Sequence, residues 1–353
     1  MFIGYTLWRE MRDLESRIKT LWDDKLVDFF VVVFPFWVGE DRETGRFKIK
    51  LLTGKPFLKL PQIVKVLQII KEIDAPYWLK IQYHPMPRTL PPGAIPEWWP
   101  GYVDFKNPTN LRIFDTINRS LGFALSKFCG RIASDLPMVV IPGVELASIV
   151  NKIDLNSTAT FIRSKLAPHP IRVIYGANFW QPIREKLDGL ISLVYRWGYG
   201  PFVVSRIMKG TPYERADSKL LADIAYHARI KPDRVRDLDA IGLSAYFYPS
   251  MQQDVEPYEA MQKFRYWYIR FSYPEIAVEW ANKLNKRLVI TETGVIYNSP
   301  IANDQDAVID WFLDSFQIWW ESDIHELVIW DEVNTDWVIE ALKRWRQQII
   351  PPR

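Results

Sequence analysis

Arg287-Leu-Val-Ile-Thr-Glu-Thr-Gly294 is an apolar run that gives out in a glutamate held between two threonines. An unbroken aliphatic run, without the alternation of a strand that has one wet face, reads as a parallel strand buried on both sides. Glu292 then stands at the strand's C-terminal end. Val139-Val-Ile-Pro-Gly-Val-Glu-Leu-Ala147 repeats the arrangement, with Glu145 beyond the aliphatic run. Two carboxylates delivered in the same way suggest acid/base or nucleophile chemistry between them.

Working outward, similar runs occur at 2–8, 29–37, 77–83, 138–142, 172–177, 240–246, 288–291 and 326–330. Amphipathic segments alternate with them, as at 9–22, 60–73 and 307–320, where apolar residues recur at helical spacing. Eight strand–helix units in a chain somewhat longer than the roughly 250 residues usual for the fold predict a single α/β domain, a closed (β/α)8 TIM barrel over 1–353. A doubly wound sheet is the competing arrangement. Segment 181–239, between the fifth and sixth runs, is longer than one crossover helix needs, and predicts a helical insertion. Such an insertion either narrows the cleft into a pocket for chain ends or packs against a second subunit.

The 353 residues are 48% hydrophobic and carry a net charge of +3 with the two signs interspersed. No basic stripe points to nucleic acid and no polybasic anchor to a membrane surface. The first residues have neither a basic nor a sustained apolar region, and no stretch approaches the ~20 apolar residues of a span, so a soluble cytoplasmic protein is expected. Cys129, the one cysteine, falls in an apolar helical pattern; this excludes an internal disulfide framework and suggests a buried thiol. No His/Cys/carboxylate cluster has metal-ligand spacing, and there is neither a Gly-rich phosphate loop nor a Gly-x-Ser-x-Gly elbow. The expectation is therefore an enzyme without metal or cofactor. Loop prolines and charged helix faces are compositional hints of a thermophile. Aromatics make up 14% of the chain, which suits a large core and equally a cleft that stacks rings on the apolar faces of sugars.

A barrel gathers the residues that follow each strand at one rim. These are Trp8, Trp37, Gln82 with His84, Glu145, Asn178 with Trp180, Tyr246, Glu292, and Trp330 followed by Asp331 and Glu332. Trp98 and Trp99 lie in a Pro-rich stretch suited to an ordered loop beside a cleft. Each has a plainer reading. A strand-end glutamate can be a cap or an ion-pair partner, a tryptophan or Tyr246 can be core, and Asp331 and Glu332 read as solvated loop carboxylates.

The ordered set resembles the clan A glycoside hydrolases, and within them family 113, the endo-acting β-mannanases. The blocks that carry the likeness are Asp28-Phe-Phe-Val-Val-Val-Phe-Pro-Phe-Trp37, Trp98-Trp-Pro-Gly-Tyr-Val-Asp-Phe105, Ile174-Tyr-Gly-Ala-Asn-Phe-Trp180, Leu238-Asp-Ala-Ile-Gly-Leu-Ser-Ala-Tyr-Phe-Tyr-Pro249 and Val289-Ile-Thr-Glu-Thr-Gly294. The resemblance implies a retaining enzyme acting on β-linked glycans, mannan first. It makes Glu145 the acid/base, Glu292 the nucleophile, Tyr246 the nucleophile's hydrogen-bond partner and Trp330 a sugar platform. A retaining mechanism asks for carboxyls ~5 to 5.5 Å apart, one protonated and one ionised. Two positions depart from the pattern. Val144 stands where most of the clan has Asn and family 113 a small polar residue. The family's Lys-Pro-His block reads Lys80-Ile81-Gln82 here, so either Gln82 or His84 takes the histidine's place. The alternatives are an idle barrel that binds glycan or protein, and a transglycosylase with the same glutamate pair.

Overall fold

In the computed structural model the eight aliphatic runs close into a barrel. The structure describes residues 1–40, 47–51, 58–85, 137–144, 154–187, 229–246, 256–265, 272–297 and 299–349. Its strands are β1 (Phe2–Leu7), β2 (Phe29–Glu40), β3 (Phe47–Leu51), β4 (Tyr77–Pro85), β5 (Val139–Ile141), β6 (Arg172–Ala177), β7 (Ala240–Ser244), β8 (Arg287–Thr293) and β9 (Glu326–Ile329). Around the barrel the order is β1-β2-β4-β5-β6-β7-β8-β9 and back to β1, every pair parallel. The doubly wound alternative is excluded because β1 pairs with both β2 and β9. The remaining strand, β3, was not foreseen. It folds back antiparallel on the overshooting end of β2, with Phe36 opposite Leu51 and Glu40 opposite Phe47. Phe47-Lys-Ile-Lys-Leu51 alternates, as suits a hairpin ribbon outside the buried sheet.

The helices are α1 (Leu14–Asp23), α2 (Leu60–Glu72), α3 (Leu155–Leu166), α4 (Gln181–Lys186), α5 (Pro257–Arg265), α6 (Tyr273–Lys283), α7 (Gln305–Glu321) and α8 (Thr335–Ile349). Local chemistry starts several of them. Asp154 and Asp304 accept from the backbone N–H of Ser157 and Ala307, at 2.9 and 3.0 Å, and so cap α3 and α7. Pro61 opens α2, whose buried Ile63, Val66, Leu67 and Ile70 form one stripe against the strands. Among the described residues no helix is long and apolar enough to cross a membrane.

Of segment 181–239 the structure describes residues 181–187, with α4, and 229–239; 188–228 lie outside the described residues. Its two described ends meet, since Glu185 accepts from the N–H of Ile230 at 2.7 Å and pairs with Arg229 at 3.1 Å.

Strand alternation sorts the interior into two apolar layers. Tyr77, Leu79 and Ile81 of β4 face the helices, with Ile3, Tyr5, Val32, Tyr175, Phe316 and Trp345 in the same layer. Phe29, Val31, Trp78, Val139, Ile141, Ile174, Ala240, Val289 and Val328 fill the axis. Phe29 stacks on Trp78 with centroids 4.2 Å apart, which plugs the N-terminal end. The axis is crowded enough to require glycine. A Cβ on Gly242 would lie 2.3 Å from Thr291 Cγ2, and one on Gly176 2.8 Å from Val144 Cγ1. Gly242→Val is therefore expected to destabilise the barrel by about 1–3 kcal/mol, the usual range for overpacking. Denaturant unfolding of the variant beside wild type checks this, and an unchanged midpoint would refute it.

Candidate active site

The C-terminal half of β8 does not keep strict alternation. Against β7, Leu243 pairs with Ile290 but Ser244 pairs with Glu292; against β9, Ile290 pairs with Leu327 and Thr293 with Ile329. On both sides β8 has one residue more than its neighbour, a β-bulge. Ile290 packs in the helix-side layer, and Thr293 Oγ1 donates to the Ala245 carbonyl at 3.0 Å and lies 3.4 Å from Ser315 Oγ of α7. The two residues between them, Thr291 and Glu292, both turn to the axis. Backbone bonds clamp the bulge: Ala245 N–H donates to the Glu292 carbonyl at 2.7 Å and Trp330 N–H to the Thr293 carbonyl at 2.8 Å.

The Glu292 carboxylate is only 3% exposed. Lys80 Nζ forms an ion pair with Oε1. Tyr246 donates its phenol hydrogen to Oε2, and Ser244 Oγ donates to the same oxygen at 3.2 Å. Ser244 and Tyr246 arrive together because they are two residues apart at the end of β7. Lys80 arrives from the far wall. Between β4 and β8 lie β5, β6 and β7 on one path and β2, β1 and β9 on the other, so the lysine reaches across the barrel. Its ammonium also lies 4.4 Å from the centroid of the Trp330 ring, within cation–π range.

Behind this group stands a second polar cluster. Trp330 stacks on Trp8 at 4.8 Å and 13° between planes, and is 4% exposed. Trp8 Nε1 donates to the Asp331 carbonyl at 3.0 Å, and Trp330 Nε1 to Glu332 Oε1 at 2.9 Å. The Asp331 carboxylate, 1% exposed, accepts from Tyr5 OH at 2.5 Å, Thr335 Oγ1 at 2.8 Å, the Val333 N–H at 3.1 Å and Arg9 at 3.1 Å. Burial raises the pKa of Asp331 and of Glu332, and the charge and hydrogen bonds around each pull part of the way back. Burial also pushes the Tyr5 phenol well above its usual range, with the Asp331 charge adding to the effect. The expectation of a solvated loop carboxylate is overturned at Asp331, while Glu332 stays half-buried. The Asp331 carboxylate lies on the helix side, between Tyr5 of β1 and Thr335 of α8, and ties the chain beyond β9 to both.

The other expected residues divide. Gln82 follows Trp78 and Lys80 on the inward face of β4, and its Oε1 is buried with no hydrogen-bond partner among the described residues. Asn178 continues the inward parity of Ile174 and Gly176, but its Oδ1 accepts from the Trp180 N–H at 3.0 Å, a turn that opens α4. Trp180 rests edge-on against Phe179 at 4.9 Å. Trp37 and His84 are register partners on β2 and β4. Val144 bridges to Gly176; Glu145, Trp98 and Trp99 lie outside the described residues. Sequence reasoning passed over Lys80 and Ser244 as site residues. The signal for Lys80 was present, because a lysine at an inward position of a strand buried on both faces needs an anion.

No protein-family model and no curated protein matches the sequence. Among solved structures the chain is similar in fold to the endo-β-1,4-mannanase from Thermotoga petrophila, with 15% identity over 100% of this chain and 78% of that one and a TM-score of 0.52. It is also similar to a GH113 β-1,4-mannanase, with 10% identity over 94% of this chain and 88% of that one and a TM-score of 0.50.

Proposed function

We propose that the chain is a retaining glycoside hydrolase that cleaves a β-linked polysaccharide or oligosaccharide, mannan-type first, with Glu292 as nucleophile and Glu145 as acid/base. The observation that carries the reading is the Glu292 carboxylate, turned to the axis by a bulge at the end of the seventh barrel strand and held there by Lys80, Tyr246 and Ser244. A buried ion pair spanning a barrel costs more in desolvation than an apolar filling would, so packing alone does not account for it. The names of the similar structures, both mannanases, agree with this choice of substrate.

The chemistry runs in two displacements. In the first, a Glu292 oxygen forms a bond to the anomeric carbon while the glycosidic C–O bond breaks, and Glu145 gives its proton to the departing oxygen. In the second, water attacks the same carbon, Glu145 takes its proton, and the ester bond breaks with its electron pair returning to Glu292. Tyr246 and Ser244 fix the carboxylate's orientation in both. Trp330, stacked on Trp8, backs the Lys80 ammonium that pairs with the nucleophile.

Hydrolysis of mannan, glucomannan, cellulose, xylan and galactan tests the proposal, together with a 2-fluoro glycosyl fluoride label located by mass spectrometry. A label on Glu292 is expected; a label elsewhere, or neither cleavage nor label, would sink it. Gln82 supplies a finer test. Its unpartnered acceptor suits a sugar hydroxyl, so Gln82→Leu should lower kcat/KM by about 5- to 30-fold, the worth of one or two kcal/mol of hydrogen bonding. Since no described partner is lost, its melting temperature should hold. A variant with wild-type kcat/KM would remove Gln82 from the site.

A further inference from the structure

We infer that Lys80 is the cation that makes Glu292 a good leaving group in the second displacement, a role that rests on the glycosidase reading of the site. Lys80 is fully buried, its ammonium against Glu292 Oε1 and 4.4 Å from the Trp330 ring centroid. Its strand neighbours in register are Val33 of β2 and Ile141 of β5, the aliphatic residues with which a barrel interior is ordinarily filled. A lysine at this level adds the cost of its own desolvation to that of the carboxylate.

The two displacements use the charge in opposite ways. In the first, Glu292 begins as an anion paired with Lys80 and ends as a neutral ester, so the cation stabilises the ground state and weakens the nucleophile. In the second, the ester C–O bond breaks and negative charge develops on the carboxylate that Lys80 faces. A positive group already in place then stabilises the transition state without reorganisation. Tyr246 and Ser244 favour the same charge at Oε2, but as hydroxyl donors; Lys80 brings a full charge to Oε1. Lys80 therefore shifts the balance between the steps, slowing formation of the glycosyl-enzyme and speeding its hydrolysis.

The test is steady-state and stopped-flow kinetics of wild type, Lys80→Met, Lys80→Gln and Lys80→Arg on a leaving-group series of aryl β-mannobiosides and β-cellobiosides. Loss of the charge should lower kcat by about 10²-fold, the usual effect of removing one preorganised electrostatic contact. KM should fall by a similar factor while kcat/KM, which reports the first displacement, holds or rises. In the Met and Gln variants kcat should become independent of the leaving group, with a burst of one phenol per enzyme on substrates where wild type shows none. Lys80→Arg should behave like wild type in this respect. If Lys80→Met does not fold, Lys80→Gln carries the test, because it keeps a hydrogen-bond donor for the carboxylate. Equal losses in kcat and kcat/KM, with no burst and with leaving-group dependence retained, would overturn the inference and leave Lys80 a packing residue. A wild-type protein that releases no phenol and takes no 2-fluoro label would overturn the glycosidase reading, and this inference with it.

Discussion

Glu292→Gln should lose at least about 10⁴-fold in turnover, the scale on which removal of a covalent nucleophile is felt. The amide keeps the side chain's shape and a carbonyl oxygen for Tyr246 and Ser244, so the fold is retained well enough to measure. A second variant makes the result specific to a nucleophile. Glu292→Ala opens space beside the anomeric carbon, and added azide or formate should restore turnover on an activated aryl glycoside, with azide giving a glycosyl azide of inverted configuration. Rescue without inversion, or residual turnover within tenfold of wild type, would show that the nucleophile lies elsewhere.

Asp331→Ala should cost about 3–5 kcal/mol of stability, the range for breaking a buried charge pair by removing one partner. The carboxylate is 1% exposed and takes bonds from Tyr5, Thr335, Arg9 and the Val333 backbone. Removing it opens a small cavity and takes the strong acceptor from Tyr5, Thr335 and the Val333 N–H, leaving the two hydroxyls only Met11 Sδ at 3.7 Å, while Arg9 keeps the Val333 carbonyl. The pH dependence has a definite sign. Burial raises the folded-state pKa of Asp331, so between its unfolded and folded values the native protein holds a proton that the unfolded chain has released. The stability that Asp331 contributes therefore declines as pH rises through that window, the reverse of a carboxylate whose pKa is lowered. Urea unfolding of both proteins between pH 4 and pH 8 measures the difference; a gap that widens with pH would contradict it.

Barrel strands announce themselves when they are buried on both faces, and for that reason Phe29–Trp37 and Leu288–Thr291 could be read directly. The closing contact of β1 with β2 and β9 follows from eight such runs needing partners on both edges. The hairpin at Phe47–Leu51 could not be read the same way, because its alternation is shared by many exposed segments. Glu292 was found because it ends an apolar run. That Lys80 and Glu292 would meet was hidden, since they lie on opposite walls and nothing in the local pattern of β4 names a partner on β8. The burial of Asp331 was hidden for a related reason: polarity after a strand suggests solvent, and only the tertiary path of the chain shows which donors surround it.

The extra residue in β8 bears on what could be transplanted. On a strand that alternates strictly, a side chain next to the inward Thr291 would point at the helix layer and meet the surroundings that Thr293 now meets near Ser315. A barrel engineered to carry this carboxylate would have to inherit the irregular stretch of backbone together with the side chain, and the matching offset in both neighbouring strands. The unit that could be moved between scaffolds is the three-strand segment β7-β8-β9, while the lysine would have to be supplied separately from the opposite wall.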